Sequence, residues 1–213
     1  MLLRILSPLF ALTLLLSGAA VAQTTINAGS DYKVLATPQS TDSDAIEVME
    51  FFAYGCIHCY TLEAKLEPWA KKLPKDVKFQ RVPTPFKVHG IDSAPIFYTL
   101  EAMDLLGKLH AKLFDAIHNE NLIAANPSVL AQWLTKQGVD AKKYQEIEKS
   151  FSVQSKVSRA RLLTEGYKID STPTLAINGK YLVASQPVAD RTFQIADSLI
   201  ATSRLSKSGA PKR

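Results

Sequence analysis

Cys56 and Cys59 are the only cysteines in this chain of 213 residues. They stand in the run Phe52-Ala53-Tyr54-Gly55-Cys56-Ile57-His58-Cys59-Tyr60. Two thiols at this spacing can close a small ring, open it, and pass the disulfide to another molecule. No second cysteine pair competes with that chemistry. A ring this short removes little chain entropy from the unfolded state, so the pair is a poor structural staple. A c-type haem needs histidine directly after the second cysteine, where this chain has Tyr60. A zinc site needs further ligands, and His58, His89, His110 and His118 show no paired ligand spacing. The expected chemistry is therefore thiol–disulfide exchange with no metal and no cofactor beyond the pair itself.

The elements around the pair predict unequal roles for its two sulfurs. Ile46 to Tyr54 is an apolar run bounded by Asp44 and Gly55, which predicts a buried central strand. Leu62, Leu66, Trp69 and Leu73 then form one apolar helical face, and Pro74 closes it. Cys56 thus falls where a strand ends and a helix begins. The unpaired N–H groups and partial positive charge of a helix N-terminus favour a thiolate. Cys56 is expected to be the low-pKa attacking sulfur and Cys59, one turn on, the sheltered resolving thiol. The His58 imidazole is expected to add to the stabilisation of the Cys56 thiolate. A stabilised thiolate favours the reduced form, so the expected direction is oxidation of other thiols.

Further along, Val77 to Val82 predicts a second strand, and Asp92 to Gly166 predicts a wholly helical block. Within that block Asn126-Pro127 and Asp140 mark helix starts, and Gly138 marks a stop. Strand character returns at Thr174 to Ile177. Asn178-Gly179 is a strong hairpin signal, and Tyr181 to Ala184 is the return strand. A last helix carries Ala189, Phe193, Ala196 and Ile200 on one face. The economical arrangement is one sheet built from both ends of the chain, an α/β fold with the helical block inserted. Glu50 shares strand parity with Val48 and Phe52, and Arg81 shares it with Val77 and Phe79. The two are expected to pair beneath the cysteines, where a buried charge influences thiol pKa.

Met1 to Ala22 has the early charge Arg4, an apolar run from Leu9 to Leu16, and the small-x-small site Ala20-Val21-Ala22. That is the pattern of a cleaved secretory signal peptide, with the mature chain starting at Gln23. No later segment has the ~18 apolar residues of a membrane span. The expected division is signal peptide 1–22, a sheet domain from 23–85 and 167–202, an inserted helical domain at 86–166, and a flexible tail at 203–213. A net charge of +5 with dispersed basic residues gives no nucleic-acid stripe. Nothing in the pattern demands an oligomer, so a monomer is expected.

Glu50 to Tyr60, together with Ser171-Thr172-Pro173-Thr174-Leu175-Ala176-Ile177-Asn178-Gly179-Lys180-Tyr181, resembles the DsbA family of periplasmic thiol:disulfide oxidoreductases. The likeness spans nearly the whole mature chain. It implies a thioredoxin fold with an inserted helical domain, Cys56 as nucleophile and Cys59 as its partner. It also implies a cis bond at Thr172-Pro173, facing the cysteines, with the Thr172 backbone free to pair with an extended substrate. An acidic residue at Glu50 fits the family. Ile57 stands where the family's motif usually has proline, and this dipeptide tunes the redox poise. The implied partners are reduced exported polypeptides and a membrane DsbB-like, quinone-linked oxidase that restores the disulfide. The compartment implied is the periplasm.

Two alternatives stay open on the residues alone. One is a disulfide isomerase or thiol reductant of the same compartment, although the short lead-in before the first central strand leaves no room for an N-terminal dimerisation domain. The other is a non-catalytic holdase or binding module that uses the fold as scaffold.

Overall fold

The computed structural model describes residues 25–41 and 45–208. The expected signal peptide, its cleavage site and residues 209–213 lie outside the described residues. Five strands form one sheet: β1 (Lys33–Val34), β2 (Ile46–Phe52), β3 (Val77–Pro83), β4 (Thr174–Ile177) and β5 (Tyr181–Ala184). The spatial order is β1-β5-β4-β2-β3. β2 runs parallel to β3 and antiparallel to β4, so strands from distant parts of the chain meet on the strand that leads to the cysteines. Helix α1 (Ile57–Lys71) crosses from β2 to β3.

Between β3 and β4 lie α2 (Ser93–Ala102), α3 (Leu106–His118), α4 (Pro127–Lys136), α5 (Ala141–Glu148) and α6 (Phe151–Gly166). The expected caps are in place. Asn126 Oδ1 accepts from the Ser128 and Val129 N–H groups, and Asp140 Oδ1 accepts from Lys142 and Lys143. Gly138 follows α4 at φ +84°, a conformation open to glycine at little cost. In the β4–β5 hairpin, Asn178 and Gly179 take φ of 48° and 69°. Both being positive suits the twist of a tight hairpin.

Helix α1 differs from expectation at its end. The apolar pattern runs on to Leu73, but the helix stops at Lys71 with Lys72 as its cap. A residue before proline is pushed away from helical geometry, and Leu73 precedes Pro74. Pro68 lies inside the helix and removes one backbone donor there.

The last helix differs too. α7 (Ala189–Ser208) runs past residue 202, so residues 203–208, expected in a flexible tail, are helical. Ser203 is buried, Arg204 makes a two-armed pair with Asp76 at 2.6 and 3.1 Å, and Lys207 donates to the Ala45 carbonyl at 2.7 Å. This end of the helix is held by polar contacts, which an apolar-periodicity reading does not register.

Two apolar clusters lie on the two faces of the sheet. One joins Ile46 and Val48 of β2 to Leu62 and Leu66 of α1 and to Phe193, Ile195 and Leu199 of α7. The other joins Met49 and Phe51 to the helical block, through Leu100, Leu109, Leu113, Trp133 and Tyr167. The strand's period of two assigns its residues to these faces alternately. Phe52, at the strand's end, turns into a group of rings: Tyr54, Phe97, His110 and Phe114, with centroids 5.3 to 5.9 Å from its own.

Candidate active site

The chain leaves β2 through a turn in which the Cys56 N–H donates to the Ala53 carbonyl at 3.0 Å. Gly55 occupies this turn because nothing larger fits: a Cβ there would lie 2.3 Å from the Val88 carbonyl oxygen. Cys56 is the N-cap of α1, and its Sγ accepts from the Cys59 N–H at 3.4 Å. The helix start and the first sulfur of the pair are therefore one feature. Cys56 is 8% exposed and Cys59 fully buried, with both thiols free.

The surroundings separate two identical side chains. The Cys56 thiol is lowered to about 5 by the hydrogen bond from the Cys59 thiol, then by hydrogen bonds from the Thr172 side chain and from the Cys59 and His58 N–H groups, against a burial cost. Burial pushes the Cys59 thiol far up, and its hydrogen bond to Cys56 and the nearby charge add to the rise. One sulfur is a thiolate at neutral pH and the other keeps its proton. His58 contributes differently from expectation. The group that reaches the sulfur is its backbone N–H, while the side chain is exposed. The first turn of a helix aims main-chain donors at the N-cap and side chains outward.

Across the cleft the Thr172–Pro173 bond is cis. Cys56 Sγ lies 3.3 Å from the Thr172 carbonyl oxygen, joining positions 116 residues apart. A cleft of about 750 Å³ opens beside them, lined by His58, Leu62, Lys65, Thr172, Pro173 and Val188 among others. Val188 is 62% exposed in that wall, and Ile57 is 52% exposed at the tip of the motif. This places apolar surface in and beside a cleft bordered by Thr172 and Pro173.

Glu50 is fully buried and stands opposite Arg81 in the β2–β3 register. Its Oε2 is 3.3 Å from Arg81 Nε without a hydrogen bond between them. Arg81 spends its Nη2 on two acids from α1, Glu63 at 2.8 Å and Glu67 at 2.7 Å. Burial therefore outweighs Arg81 and raises the Glu50 carboxyl to about 8. The expected pair exists, inside a larger cluster. Glu63 was not visible from strand parity because it reaches Arg81 from the helix. It lies one turn beyond Cys59 on the same helix face, and that spacing was the available signal.

Tyr54 ends the apolar run of the expected strand, and the spacing of His110 and His118 gives neither a role. The structure brings all three together. The Tyr54 hydroxyl and His110 Nδ1 are 2.8 Å apart, and His118 Nε2 lies 2.8 Å from the Tyr54 carbonyl oxygen. His110 Nε2 faces Glu63 Oε2 at 3.7 Å, and burial holds the imidazole below its usual range. The two histidines are eight positions apart on α3, two helical turns, which places them on one face.

The chain is similar to known proteins in sequence and fold. The family model for a DSBA-like thioredoxin domain matches residues 91–199. The thiol:disulfide interchange protein DsbA of Pseudomonas aeruginosa is 36% identical over 207 residues, covering 94% of this chain and 96% of that one. Its counterpart from Burkholderia cepacia is 37% identical over 181 residues, covering 84% and 85%. The crystal structure of the Pseudomonas aeruginosa DsbA matches with a TM-score of 0.80 at 34% identity, over 86% of this chain and 97% of that one. Reduced DsbA1 from Neisseria meningitidis matches with a TM-score of 0.75 at 29% identity, over 88% and 100%.

Proposed function

The chain belongs to the DsbA family and is a thiol:disulfide oxidoreductase with a thioredoxin fold; from that premise we propose that it donates the Cys56–Cys59 disulfide to newly exported polypeptides in the periplasm. The observation that carries the site assignment is the opposed acidity of the two sulfurs at the start of α1.

In the disulfide form, a substrate thiolate attacks Cys56 Sγ, the sulfur nearer to solvent. The Cys56–Cys59 bond breaks, and its electron pair goes to Cys59, whose buried sulfur takes a proton. A second substrate thiolate then attacks the substrate sulfur of the mixed disulfide. Cys56 leaves as a stable thiolate, and a low-pKa leaving group leaves faster. The substrate has lost two electrons and the enzyme has gained them. Stabilising the thiolate stabilises the reduced enzyme and makes its disulfide oxidising, a rule of which DsbA is itself a standard example. His58, Ile57 and Glu50 tune that poise, and the Thr172–Pro173 segment with the adjoining cleft holds the substrate chain. A DsbB-like membrane oxidase then removes the two electrons and passes them to quinone. The chain works as a monomer, with no cofactor beyond its own disulfide.

The test uses a reduced, unfolded protein that needs disulfides to become active. Cys59→Ser, first prepared as its Cys56–glutathione disulfide, should exchange the glutathione for a client thiol and accumulate mixed disulfides, visible on a non-reducing gel, and Cys56→Ser should form none and oxidise nothing. A Cys56→Ser protein that still restores the client's activity would refute the assignment. Titration against glutathione separates an oxidase from the alternative reductant.

A further inference from the structure

Tyr54 stands two residues before the attacking sulfur and is fully buried. Its three polar groups are all engaged, each by a residue of the helical block. Ser93 Oγ accepts its N–H at 2.8 Å, His110 Nδ1 meets its hydroxyl at 2.8 Å, and His118 Nε2 donates to its carbonyl at 2.8 Å. The neighbouring Gly55 presses against the Val88 carbonyl in the loop before α2. The turn that carries Cys56 is therefore held from one side by the helical block and met from the other by Thr172.

His118 has a second contact. Its ring stacks on Tyr60, the residue after Cys59, with centroids 5.0 Å apart and planes 13° from parallel. The Tyr60 hydroxyl donates to Asp115 at 3.0 Å, and Asn119 donates to the same hydroxyl at 2.6 Å. One imidazole thus touches both flanks of the cysteine motif, and the last turn of α3 supports it on each side. A flat ring alone would satisfy the stacking. The hydrogen bond to Tyr54 does something else: it orients the peptide between Tyr54 and Gly55, the centre of the turn that sets the direction of Cys56.

We infer that His118 is a positioning residue for disulfide exchange, fixing through the Tyr54 carbonyl the turn that holds Cys56 at the N-cap of α1. This rests on Cys56 being the attacking thiol. The groups that face the imidazole are Tyr60 of α1, Phe114 of its own helix and the Tyr54 carbonyl, and the nearby charge, Asp115, is engaged by Tyr60 and Asn119. A rigid turn keeps the Cys59 N–H and Thr172 in place around the sulfur, and loosening it withdraws the donors that favour the thiolate.

The test compares His118→Phe, which keeps a flat ring and loses the donor, with His118→Gln, which keeps a donor and loses the ring. Thiolate absorbance of the full reduced protein is followed against pH beside its melting curve. His118→Phe should move the titration up by at least about half a pH unit, a threefold loss of thiolate stabilisation. It should slow oxidation of a dithiol peptide by a similar factor or more. His118→Gln should recover most of the shift whatever it does to the melting temperature. A His118→Phe protein that melts lower but titrates like the parent would overturn the inference, leaving His118 a packing residue. Should His118→Phe fail to fold, nitrogen NMR of the parent protein decides: neutral His118 should carry its proton on Nε2, and the Nδ1–H tautomer would overturn the proposal. Cys56→Ser titrated in parallel shows which sulfur gives the signal, so an error in the nucleophile is distinguishable from an error about His118.

Discussion

Cys56 and Cys59 carry the same side chain and hold their protons over different pH ranges. The Cys59 thiol hydrogen-bonded to Cys56 helps to lower the Cys56 thiol to about 5, well below the ordinary thiol value of about 8.5. A depressed folded-state pKa stabilises the reduced fold above the unfolded value, and this contribution is lost as pH falls through about 5. The same proton count governs the potential. Below that pKa, reduction takes up two electrons and two protons. Above it only Cys59 takes a proton, because its thiol is held far up by burial. The midpoint potential should therefore fall by roughly 59 mV per pH unit in acid and roughly 30 mV per unit through neutrality. The break should lie near pH 5. Potentials measured against glutathione from acid to neutral pH check this, and one straight steep line through pH 7 would mean that Cys56 stays a thiol.

At the scale of elements, the junction of β2 and α1 is tight because two pieces of backbone meet there. Gly55→Ala would bring a methyl to 2.3 Å from the Val88 carbonyl oxygen. The turn or the loop before α2 must then shift, an overpacking that costs about 1–3 kcal/mol. The expected outcome is a lower urea midpoint at unchanged slope, and an unchanged midpoint would show that the loop yields freely. Much at this scale was legible in the sequence. The Asn126 and Asp140 caps, the Asn178-Gly179 turn and the Glu50–Arg81 register all follow from local chemistry or the period of a strand. What was not legible depends on how a helix is rotated against a distant partner. Glu63 meets Arg81 across 18 positions, and His110 and His118 meet Tyr54 across 56 and 64. Periodicity names the face of α3 that is buried, but not which residue of another element lies under each side chain. The end of α7 was missed for a related reason: Arg204 and Lys207 are held by charge and hydrogen bonding, with no apolar stripe to announce them.

For the molecule as a whole, the sheet and the helical block share one core. Met49 and Phe51 of β2 belong to the same apolar cluster as Leu100, Leu113 and Trp133 of the block. An element whose buried face is completed by another part of the chain gains its stability from that contact, so the two parts should unfold together. The two tryptophans report on one part each, Trp69 in α1 and Trp133 in α4. Replacing either with phenylalanine leaves a single fluorescent reporter. Each variant's fluorescence transition in urea should coincide with its own transition by circular dichroism. A reporter that moves ahead of the circular dichroism would show that the block and the sheet unfold separately.

The depth of Cys59 has a consequence for survival under peroxide. An acidic, accessible thiolate is the sulfur that peroxide oxidises first, and a lone one proceeds from sulfenic acid to forms that cannot be recovered. Here the oxidised sulfur would be Cys56, and the Cys59 thiol is hydrogen-bonded to it. Condensation of the two expels water and closes the ring, which is the state the enzyme needs for its next turnover. The shielding that makes Cys59 a reluctant acid thus also makes it a repair group, so that an oxidant able to destroy a solitary thiol recharges this one.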